Sequence, residues 1–530
     1  MNTLAHRAVN LAQTLTQTAR RRPDADALVR GDVRLTWREL DDAVSGLANA
    51  LRTRGVRPGD SVLVHGVNHI EYVQAMYAIW RVGAVLAPTN VRLTPSDVAG
   101  IARTCKPALI ICDAEFPDHA AAIAAEHDLD GKILWFGEVS ENPDSVAAQR
   151  KFTDCSNEPV SRGDAAWYFF TSGTSGAPKA AILTHDQMGF VTTNHLCDLM
   201  PGTNSGDVSL VVAPLSHGAG IHLLPQIAAG ATTVLTTSAK LLGEEVWRLV
   251  ETERVTNMFT VPTILKLLAE HPAAQTFDHS SLRYVIYAGA PMYTADQQHA
   301  RNVLGDVLVQ YYGLGEVTGN ITVLPPDLHD HPRPEGVDIG TCGYPRTGMQ
   351  VSIQDDDGNE VAQGVQGEIC VAGPAVCVGY LDNDAANAST FRNGWFRTGD
   401  LGLLDQYNFL YVTGRASDMY ISGGSNVYPR DIEEKLLVHP SLAEVAVLGM
   451  PDPVWGEVGV AICVPVNGDA PNPEDLKSWL EARLARYKLP RYFLVWDELP
   501  KSGYGKVVKR TIRDELLANS WPPVLTKANV

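Results

Sequence analysis

The chain has 530 residues, of which 45% are hydrophobic and 20% charged, and its formal net charge at pH 7 is −18. A chain of this length is too long to fold around one ordinary hydrophobic core, so we predict two or more domains. The composition is that of a globular protein rather than a disordered chain. The acidic balance argues against a nucleic-acid partner, although a local nest of backbone N–H groups can still bind a small anion.

The compartment is inferred from what the sequence does not contain. The N-terminal segment lacks the continuous apolar region of a signal peptide, and no stretch reaches the ~18 uncharged apolar residues of a membrane span. The nearest candidate, 71–88, is interrupted by Glu71 and Arg81 and is interpreted as a buried helix that leads into a strand. Eight scattered cysteines without a CxxC pair disfavour a disulfide scaffold or a zinc site. We therefore expect a cytoplasmic protein.

Most of the chain repeats one pattern, an apolar strand followed by a glycine-containing turn. The pattern occurs in SVLVHGVN (61–68), SLVVAPLSHGAG (209–220), RYVIYAGAP (283–291) and DVLVQYYGLGE (306–316). Helical periodicity lies between these strands, as in 243–253, where Val246, Leu249 and Val250 share one face. Alternating strands and helices predict α/β layers around largely parallel sheets, which bind ligands at the carboxyl ends of their strands.

The pattern changes after about residue 340. Shorter β-like pieces follow, among them GEICVAG and NFLYVTG, and the Asp-Asp-Gly run at 356–358 is typical of a hairpin turn. From about residue 417, two helical patterns and three strand patterns indicate a compact α+β unit. No low-complexity linker separates the two parts, so the connection near 414–418 is expected to be a short hinge.

The segment TSGTSGAPK (171–179), which follows the apolar run WYFF, is the first chemical candidate. Its glycines allow backbone N–H groups to approach an anion, and four hydroxyls and Lys179 add donors and charge, as in a nest for a polyphosphate. It is not a Walker loop, because the GxxxxGK[ST] spacing is missing and Pro178 separates glycine from lysine. A solvated turn is the alternative interpretation.

Three further features are weak when taken singly. The segment PKSGYGKVVKR (500–510) is also typical of a solvated basic turn, Asp400 in FRTGDLG of an ordinary turn, and His217 in PLSHGAG of a packed histidine.

In combination and order, these motifs resemble the adenylate-forming superfamily of acyl-CoA synthetases, peptide-synthetase adenylation domains and beetle luciferases. The resemblance runs from LTWREL (35–40) to PKSGYGK and includes TSGTSGAPK, PLSHGAG, YAGAP, YYGLGE, GYLDN, WFRTGDLG and GRASDMYISGGSNVYP. It implies a large N-terminal domain (1–416) of layered α/β sheets with a small β-barrel-like part, followed by a small mobile α+β C-terminal domain (417–530). It also implies activation of a carboxylic acid with MgATP to an acyl-adenylate, and transfer of the acyl group to a thiol.

The resemblance assigns roles in nucleotide and metal binding. Tyr312 matches the aromatic residue that stacks on adenine, Asp400 the carboxylate that binds the ribose hydroxyls, and Glu316 the acid associated with Mg²⁺. The remaining cofactor-binding candidates are Thr171, Ser172, Gly173, Thr174, Ser175, Gly176 and Lys179 around the phosphates, Gly289, Ala290, Pro291, Gln310, Tyr311 and Gly313 around adenine, and Arg415 near the ribose.

Other matches concern catalysis and the thiol. Lys506 matches the catalytic lysine that bridges the substrate carboxylate and the α-phosphate, and rotation about the hinge would replace it with the segment 422–426 for thioester formation. Gly423 and Gly424 would then line a tunnel for coenzyme A. Trp455 matches a tryptophan that contacts coenzyme A in some aryl-CoA ligases, with a core tryptophan as the alternative. Arg92 is a weaker match, to a residue that would reach the nucleotide part of coenzyme A.

Two positions depart from the family pattern. Ser417 occupies the hinge position where Asp or Lys is usual, and Gly315 replaces the threonine of the YGxTE motif. Neither change removes a charged catalytic group, so we expect activity.

The sequence narrows the class of the carboxylic acid and of the acyl acceptor but identifies neither compound. Gly218 lies where amino-acid-activating relatives carry an aspartate, which argues against an α-amino acid. His217, a catalytic candidate with Lys506 and Glu316, matches the residue that borders the carboxylate or gates the acyl pocket. Pocket-wall candidates are Asn194, His195, His222, Tyr287 and Tyr312, which suit an aryl, arylpropenoic or medium-length aliphatic acid. A free-standing acid–CoA ligase is favoured over an enzyme that loads a carrier protein and over a degenerate binding protein. The oligomeric state is left open, with a homodimer as one alternative.

Overall fold

The structure is a computed structural model of the 530-residue chain. It describes residues 6–127, 129, 131–137, 142–149, 155–172, 178–422, 424–466, 471–501, 507–519 and 521–522. The helices, strands and sheets of the fold lie within these residues. The predicted site residues Gly173, Thr174, Ser175, Gly176, Gly423 and Lys506 lie outside them.

The α-helices of the described part are distributed along the whole chain. They are α1 Ala12–Arg21, α2 Trp37–Thr53, α3 Ile70–Arg81, α4 Pro95–Cys105, α5 Pro117–His127, α6 His185–Asn194, α7 Gly218–Ala229, α8 Gly243–Thr252, α9 Pro262–Glu270, α10 Thr294–Leu304, α11 Asp384–Thr390, α12 Pro429–Leu437, α13 Pro473–Glu481 and α14 Lys509–Ala518. Among these described helices, none is long and apolar enough to cross a membrane.

The strands alternate with the helices in the first 310 residues and then become more frequent. They are β1 Arg7–Ala8, β2 Asp26–Arg30, β3 Val33–Thr36, β4 Ser61–His65, β5 Val85–Thr89, β6 Leu109–Asp113, β7 Ile133–Phe136, β8 Val160–Ser161, β9 Ala165–Ser172, β10 Pro178–Thr184, β11 Val208–Val211, β12 Thr232–Leu235, β13 Asn257–Thr260, β14 Tyr284–Tyr287, β15 Leu308–Gln310, β16 Thr322–Val323, β17 Tyr344–Pro345, β18 Gln350–Gln354, β19 Gly367–Ala372, β20 Phe391–Arg392, β21 Trp395–Leu404, β22 Leu410–Arg415, β23 Tyr420–Ser422, β24 Ser425–Val427, β25 Leu442–Asp452, β26 Gly456–Pro465 and β27 Tyr492–Val495.

Two large sheets form the first part of the molecule. One has the strand order β10-β9-β5-β4-β6-β7 and the other β15-β14-β13-β11-β12-β2-β3. All pairs in both sheets are parallel except the edge pairs β9/β10 and β2/β3. The prediction of layered, largely parallel α/β sheets is therefore confirmed.

Helix α3 shows how the core is built between these layers. All of its residues, Ile70–Arg81, are buried, and β5 follows it, as predicted for this segment. Asp41 compensates the charge of Arg81, and Ser45 Oγ accepts a hydrogen bond from Arg81 Nη1 at 2.6 Å. A buried guanidinium needs such partners, because an unpaired charge in the core is very costly.

The remaining sheets correspond to the change of pattern after residue 340. Strands β18 to β22 form a five-stranded antiparallel sheet, in the part of the chain where shorter β-like pieces were predicted. Gly358, in the predicted hairpin turn, has a φ of 89°, a value that favours glycine. Strands β23 to β27 form a last mixed sheet that packs with α12, α13 and α14. This agrees with the predicted fold class, whereas the boundary at 416/417 stays a prediction.

Candidate active site

Glu316 lies in the short turn after β15, and two hydroxyl groups orient its side chain. Thr171 Oγ1 donates a hydrogen bond to Glu316 Oε1 at 3.1 Å, and Tyr380 Oη donates to the same oxygen at 2.9 Å. Burial and the adjacent Glu316 charge raise the pKa of Tyr380, so the phenol keeps its proton and remains a donor. Such charge-assisted bonds are strong, and the carboxylate they orient is a hard oxygen ligand of the kind that Mg²⁺ prefers.

Asp400 is a second buried carboxylate with fixed partners. Tyr312 Oη donates to Asp400 Oδ2 at 2.7 Å, and Arg415 Nε donates to Asp400 Oδ1 at 3.0 Å. Arg415 is the direct neighbour of Asp400 in the antiparallel pair β21/β22. The Asp400 charge raises the pKa of Arg415, and burial followed by the same charge raises the pKa of Tyr312. Both donors therefore remain protonated.

A five-residue segment, 312–316, connects the two carboxylates. Its first residue, Tyr312, contacts Asp400 of the antiparallel sheet, and its last, Glu316, contacts Thr171 at the end of β9. The turn requires glycine at position 313, where a Cβ atom would lie 2.3 Å from the Gly319 Cα atom. The segment, which follows β15, thus contacts residues of two other sheets.

The predicted adenine region has its own hydrogen-bond network at the ends of β14 and β15. Tyr287 Oη donates to Gln310 Oε1 at 2.9 Å and accepts from Gln297 Nε2 at 2.6 Å. Burial lowers the pKa of the nearby His329 to about 4, so its imidazole is neutral at pH 7. The network fixes the side-chain amide of Gln310, one of the residues predicted to surround adenine.

The other residues predicted to surround adenine lie either in a turn or in the core. Gly289, Ala290 and Pro291 form the turn after β14, where Gly289 has a φ of 88°. Tyr311 is buried, and its ring stacks on Phe259 with centroids 6.0 Å apart. The Tyr311 side chain is therefore part of the core, and its role in cofactor binding stays a prediction.

His217 lies immediately before α7, next to the end of β9. Its Nδ1 atom is 2.9 Å from Ser216 Oγ. The ring of Phe169, on β9, meets the His217 imidazole edge to face, with centroids 5.1 Å apart. His217 is thus placed beside the strand that leads to the predicted phosphate loop.

The described ends of that loop form a hairpin. Thr171 pairs with Lys179, and Ser172 with Pro178, in the antiparallel pair β9/β10. Lys179 Nζ lies 5.3 Å from the ring centroid of Tyr380, the residue that also binds Glu316. The described ends of the hairpin therefore lie beside the strand end that supports Glu316.

The predicted coenzyme A residues belong to the C-terminal sheet. Gly424 has a φ of 83° in the turn between β23 and β24. Trp455 lies in the turn between β25 and β26 with 52% of its surface exposed, so it is not a core tryptophan. Helix α12 attaches this sheet to the rest of the molecule, because Lys435 Nζ lies 2.8 Å from Asp338 Oδ2 and Arg430 Nη1 donates to the Val412 carbonyl oxygen at 2.7 Å.

Two proposed pocket-wall histidines are buried in a polar cluster near α7. His222 Nε2 lies 3.0 Å from Asn257 Oδ1, and burial lowers the pKa of His222 to about 4. His195 lies 3.2 Å from Arg346 Nη2, and burial together with this cation lowers the pKa of His195. Both imidazoles are therefore neutral at pH 7, and their part in acid binding stays a prediction.

Sequence reasoning assigned no role to three residues of this site. Tyr380, which binds Glu316, lies within the GYLDN motif, and Phe169 belongs to an apolar strand pattern. Gln297 lies in an ordinary helical stretch. The position of Tyr380 inside a family motif was a usable signal, whereas the contacts of the other two residues depend on the folded chain.

Comparison with known proteins identifies the group to which this arrangement belongs. The family described as AMP-binding enzyme matches residues 15–381, and the AMP-binding enzyme C-terminal domain matches residues 431–506. The chain belongs to the AMP-binding enzyme family. This confirms the predicted relationship to adenylate-forming enzymes and the predicted enzyme class, an AMP-forming acid–thiol ligase.

Individual relatives cover nearly the whole chain. A feruloyl-CoA synthase of Amycolatopsis sp is 36% identical over 93% of this chain and 96% of its own length. A fatty acid–[acyl-carrier-protein] ligase of Streptomyces coeruleorubidus is 31% identical over 96% of this chain and 97% of its own length. Among solved structures, an amide bond synthetase from Marinactinospora thermotolerans is 28% identical, with a TM-score of 0.86 over 96% of this chain and all of its own.

Proposed function

We propose that the protein is an ATP-dependent acid–CoA ligase that converts a hydrophobic carboxylic acid to its acyl-adenylate and then to its CoA thioester. The proposed acid is aryl, arylpropenoic or of medium aliphatic length. The observation that supports the proposal is the segment 312–316, which carries the oriented carboxylate of Glu316 at one end and contacts the oriented carboxylate of Asp400 through Tyr312 at the other. The similarity to a feruloyl-CoA synthase supports an arylpropenoic acid within this range.

The first half-reaction has a clear electrostatic requirement. A carboxylate must attack an anionic α-phosphate, so negative charge accumulates in the transition state and cations placed there lower the barrier. We assign this role to Lys506. Thr171 and Lys179 fit the β- and γ-phosphates, because Thr171 donates to Glu316 and Lys179 is the partner of Thr171 across the hairpin. Mg²⁺ held near Glu316 would offset charge on the leaving pyrophosphate.

Asp400 is proposed to accept hydrogen bonds from the ribose hydroxyls. Its carboxylate is fixed by Tyr312 and Arg415, so little reorganisation is needed when the nucleotide binds. Tyr312 would then serve twice, by stacking on adenine and by orienting Asp400.

The second half-reaction needs the same carbonyl to be open to a thiol. We propose that the unit 417–530 rotates to remove Lys506 and bring Gly423 and Gly424 to the site. Residues 416–419 lie between β22 of one sheet and β23 of another, which suits a hinge at Ser417. The exposed Trp455 is proposed to contact coenzyme A.

A carrier-protein ligase is the second candidate function, because one relative of similar identity bears that name. Both functions share adenylation and differ in the thiol. One missing methylene in an apolar pocket costs only ~1–3 kcal/mol, so several related acids should be accepted in either case.

The test is an acid panel that measures pyrophosphate and AMP release with and without coenzyme A, with the thioester detected by mass. Aryl, arylpropenoic, and short, medium and long aliphatic acids are compared, and Lys506→Ala serves as the control that should not adenylate. CoA-dependent turnover with one acid class supports the ligase. Pyrophosphate release that coenzyme A does not affect would favour an acyl carrier protein, and no release with any acid would contradict both functions.

A further inference from the structure

Gly315 has no room for a side chain, because the ring of Phe169 occupies that space. A Cβ atom on Gly315 would lie 2.4 Å from both Cδ1 and Cε1 of Phe169. Carbon atoms in ordinary contact are about 3.5–4.0 Å apart, so the two groups exclude each other. The Phe169 ring thus occupies the space that a side chain at position 315, such as the threonine of the YGxTE motif, would need.

The same ring contacts the turn that carries His217. Phe169 and His217 have centroids 5.1 Å apart and an interplanar angle of 78°, an edge-to-face pair of the kind that stabilises aromatic neighbours. Phe169 is only partly buried, whereas its neighbour Phe170 is buried. The ring therefore lies between the Glu316 turn and the His217 turn.

Thr171 links this packing to the carboxylate. A Cβ atom on Gly315 would lie 3.2 Å from Thr171 Cγ2, while Thr171 Oγ1 donates to Glu316. The methyl group of Thr171 thus faces Gly315 and its hydroxyl faces Glu316. Any side chain at position 315 would press on both Phe169 and Thr171 and disturb the orientation of Glu316.

We propose that Phe169 is a positioning residue for adenylate formation, and that Gly315 is its required partner. Phe169 spaces the Glu316 turn from the His217 turn, and the absence of a side chain at position 315 allows it to do so. This inference rests on the proposed function, because its effect is measured on the adenylation half-reaction.

The experiment compares the wild type with Gly315→Ala, Phe169→Ala and the double variant. Gly315 does not have the left-handed backbone that disfavours alanine, so a loss in Gly315→Ala reports the clash alone. Gly340→Ala is the matched control, since a Cβ atom there meets nothing within 4 Å. For each protein, Tm and the kcat and KM for ATP in acid-dependent pyrophosphate release are measured.

We expect Gly315→Ala to lower Tm and to reduce kcat about tenfold or more, and Gly340→Ala to do neither. Phe169→Ala should reduce kcat with KM for ATP changed less than twofold, because the residues proposed to bind adenine and ribose do not depend on it. The double variant should have a higher Tm than Gly315→Ala, and a kcat well above the product of the two single effects, since removal of the ring makes room for the alanine.

The inference is overturned if Gly315→Ala behaves like Gly340→Ala, or if the two substitutions act independently on Tm and kcat. If the wild type forms adenylate normally but the Gly315→Ala and Phe169→Ala substitutions act independently, only this inference is rejected. A wild type that forms no adenylate from any acid rejects the proposed function and the positioning role with it, and the Tm values then test the packing of Phe169 against Gly315 alone.

Discussion

Tyr312 Oη donates a hydrogen bond to Asp400 Oδ2 at 2.7 Å, so the aromatic residue proposed to stack on adenine also orients the carboxylate proposed to bind ribose. Tyr312 lies in the segment after β15 and Asp400 in β21, 88 positions further along the chain. If both proposed roles hold, recognition of the base and of the sugar is coupled through the Tyr312 side chain.

Replacement of Tyr312 by Phe tests this coupling. The aromatic ring is kept, but Asp400 loses one of its donors, and hydrogen bonds to charged groups contribute about 1.5–3 kcal/mol. We expect KM for ATP to rise about tenfold or more with a smaller change in kcat, as measured by pyrophosphate release. Tyr284→Phe is the control, because its hydroxyl donates to the Pro201 carbonyl oxygen instead. An unchanged KM for ATP in Tyr312→Phe would show that Asp400 does not need this donor.

Replacement of Tyr380 by Phe tests the proposed metal role of Glu316. The variant leaves Thr171 as a donor to Glu316 Oε1 but removes the bond from Tyr380. We expect the Mg²⁺ concentration for half-maximal adenylation to rise several-fold, because the carboxylate is less well oriented. Tyr344→Phe, an exposed tyrosine, serves as the control. An Mg²⁺ dependence that is identical in all three proteins would show that Glu316 does not need the Tyr380 hydrogen bond for a metal role.

Trp455 provides a test of the thiol-binding step that leaves adenylation unaffected. Because its side chain is 52% exposed, Trp455→Ala should alter stability little. We expect KM for coenzyme A to rise about fivefold to tenfold, the effect of losing an aromatic contact of roughly 1–1.5 kcal/mol. Tyr487→Ala, with 49% exposure in the same unit, should not change it. Equal CoA kinetics in both variants would exclude Trp455 from the thiol site.

Buried neutral histidines predict how stability depends on pH. The pKa of His222 is about 4 in the folded protein and 6.5 for an unperturbed histidine, so the unfolded state binds the proton first as pH falls. The contribution of His222 to stability is complete above pH 6.5 and is lost as pH falls towards 4. By pH 5 the loss is about 2 kcal/mol.

The measurement is the urea midpoint at pH 7.5 and pH 5.0 for the wild type and for His222→Gln, which cannot take up the proton. The wild type should lose more stability than the variant between the two pH values. His299→Gln, at an exposed position, should follow the wild type. A pH dependence in His222→Gln equal to that of the wild type would show that His222 does not contribute to it.

Much of the architecture was predictable because local patterns determine it. Strand-and-glycine segments located β4, β11, β14 and β15, and the periodicity of Val246, Leu249 and Val250 identified the buried face of α8. The hairpin at Gly358 followed from its turn residues. In these cases the decisive interactions lie within a few residues of one another, so the sequence contains them directly.

The contacts that organise the site were not predictable in this way. The Tyr380–Glu316 bond joins residues 64 positions apart, and the Thr171–Glu316 bond joins residues 145 positions apart. The sequence showed that Gly315 departs from the motif. It did not show that the Phe169 ring leaves no space for a side chain there, because this depends on how β9 packs against the 315–317 turn. Motif order identified the participating residues, whereas the folded chain decides which of them touch.

The most direct test of the account measures the two half-reactions separately in Lys506→Ala. Acid-dependent pyrophosphate release reports adenylation, and thioester formation from a supplied acyl-adenylate and coenzyme A reports transfer. We predict that the substitution abolishes the first activity and leaves the second near the wild-type rate, because Lys506 is needed only while charge develops at the α-phosphate. Equal loss of both activities would contradict the proposed alternation of one site between two reactions.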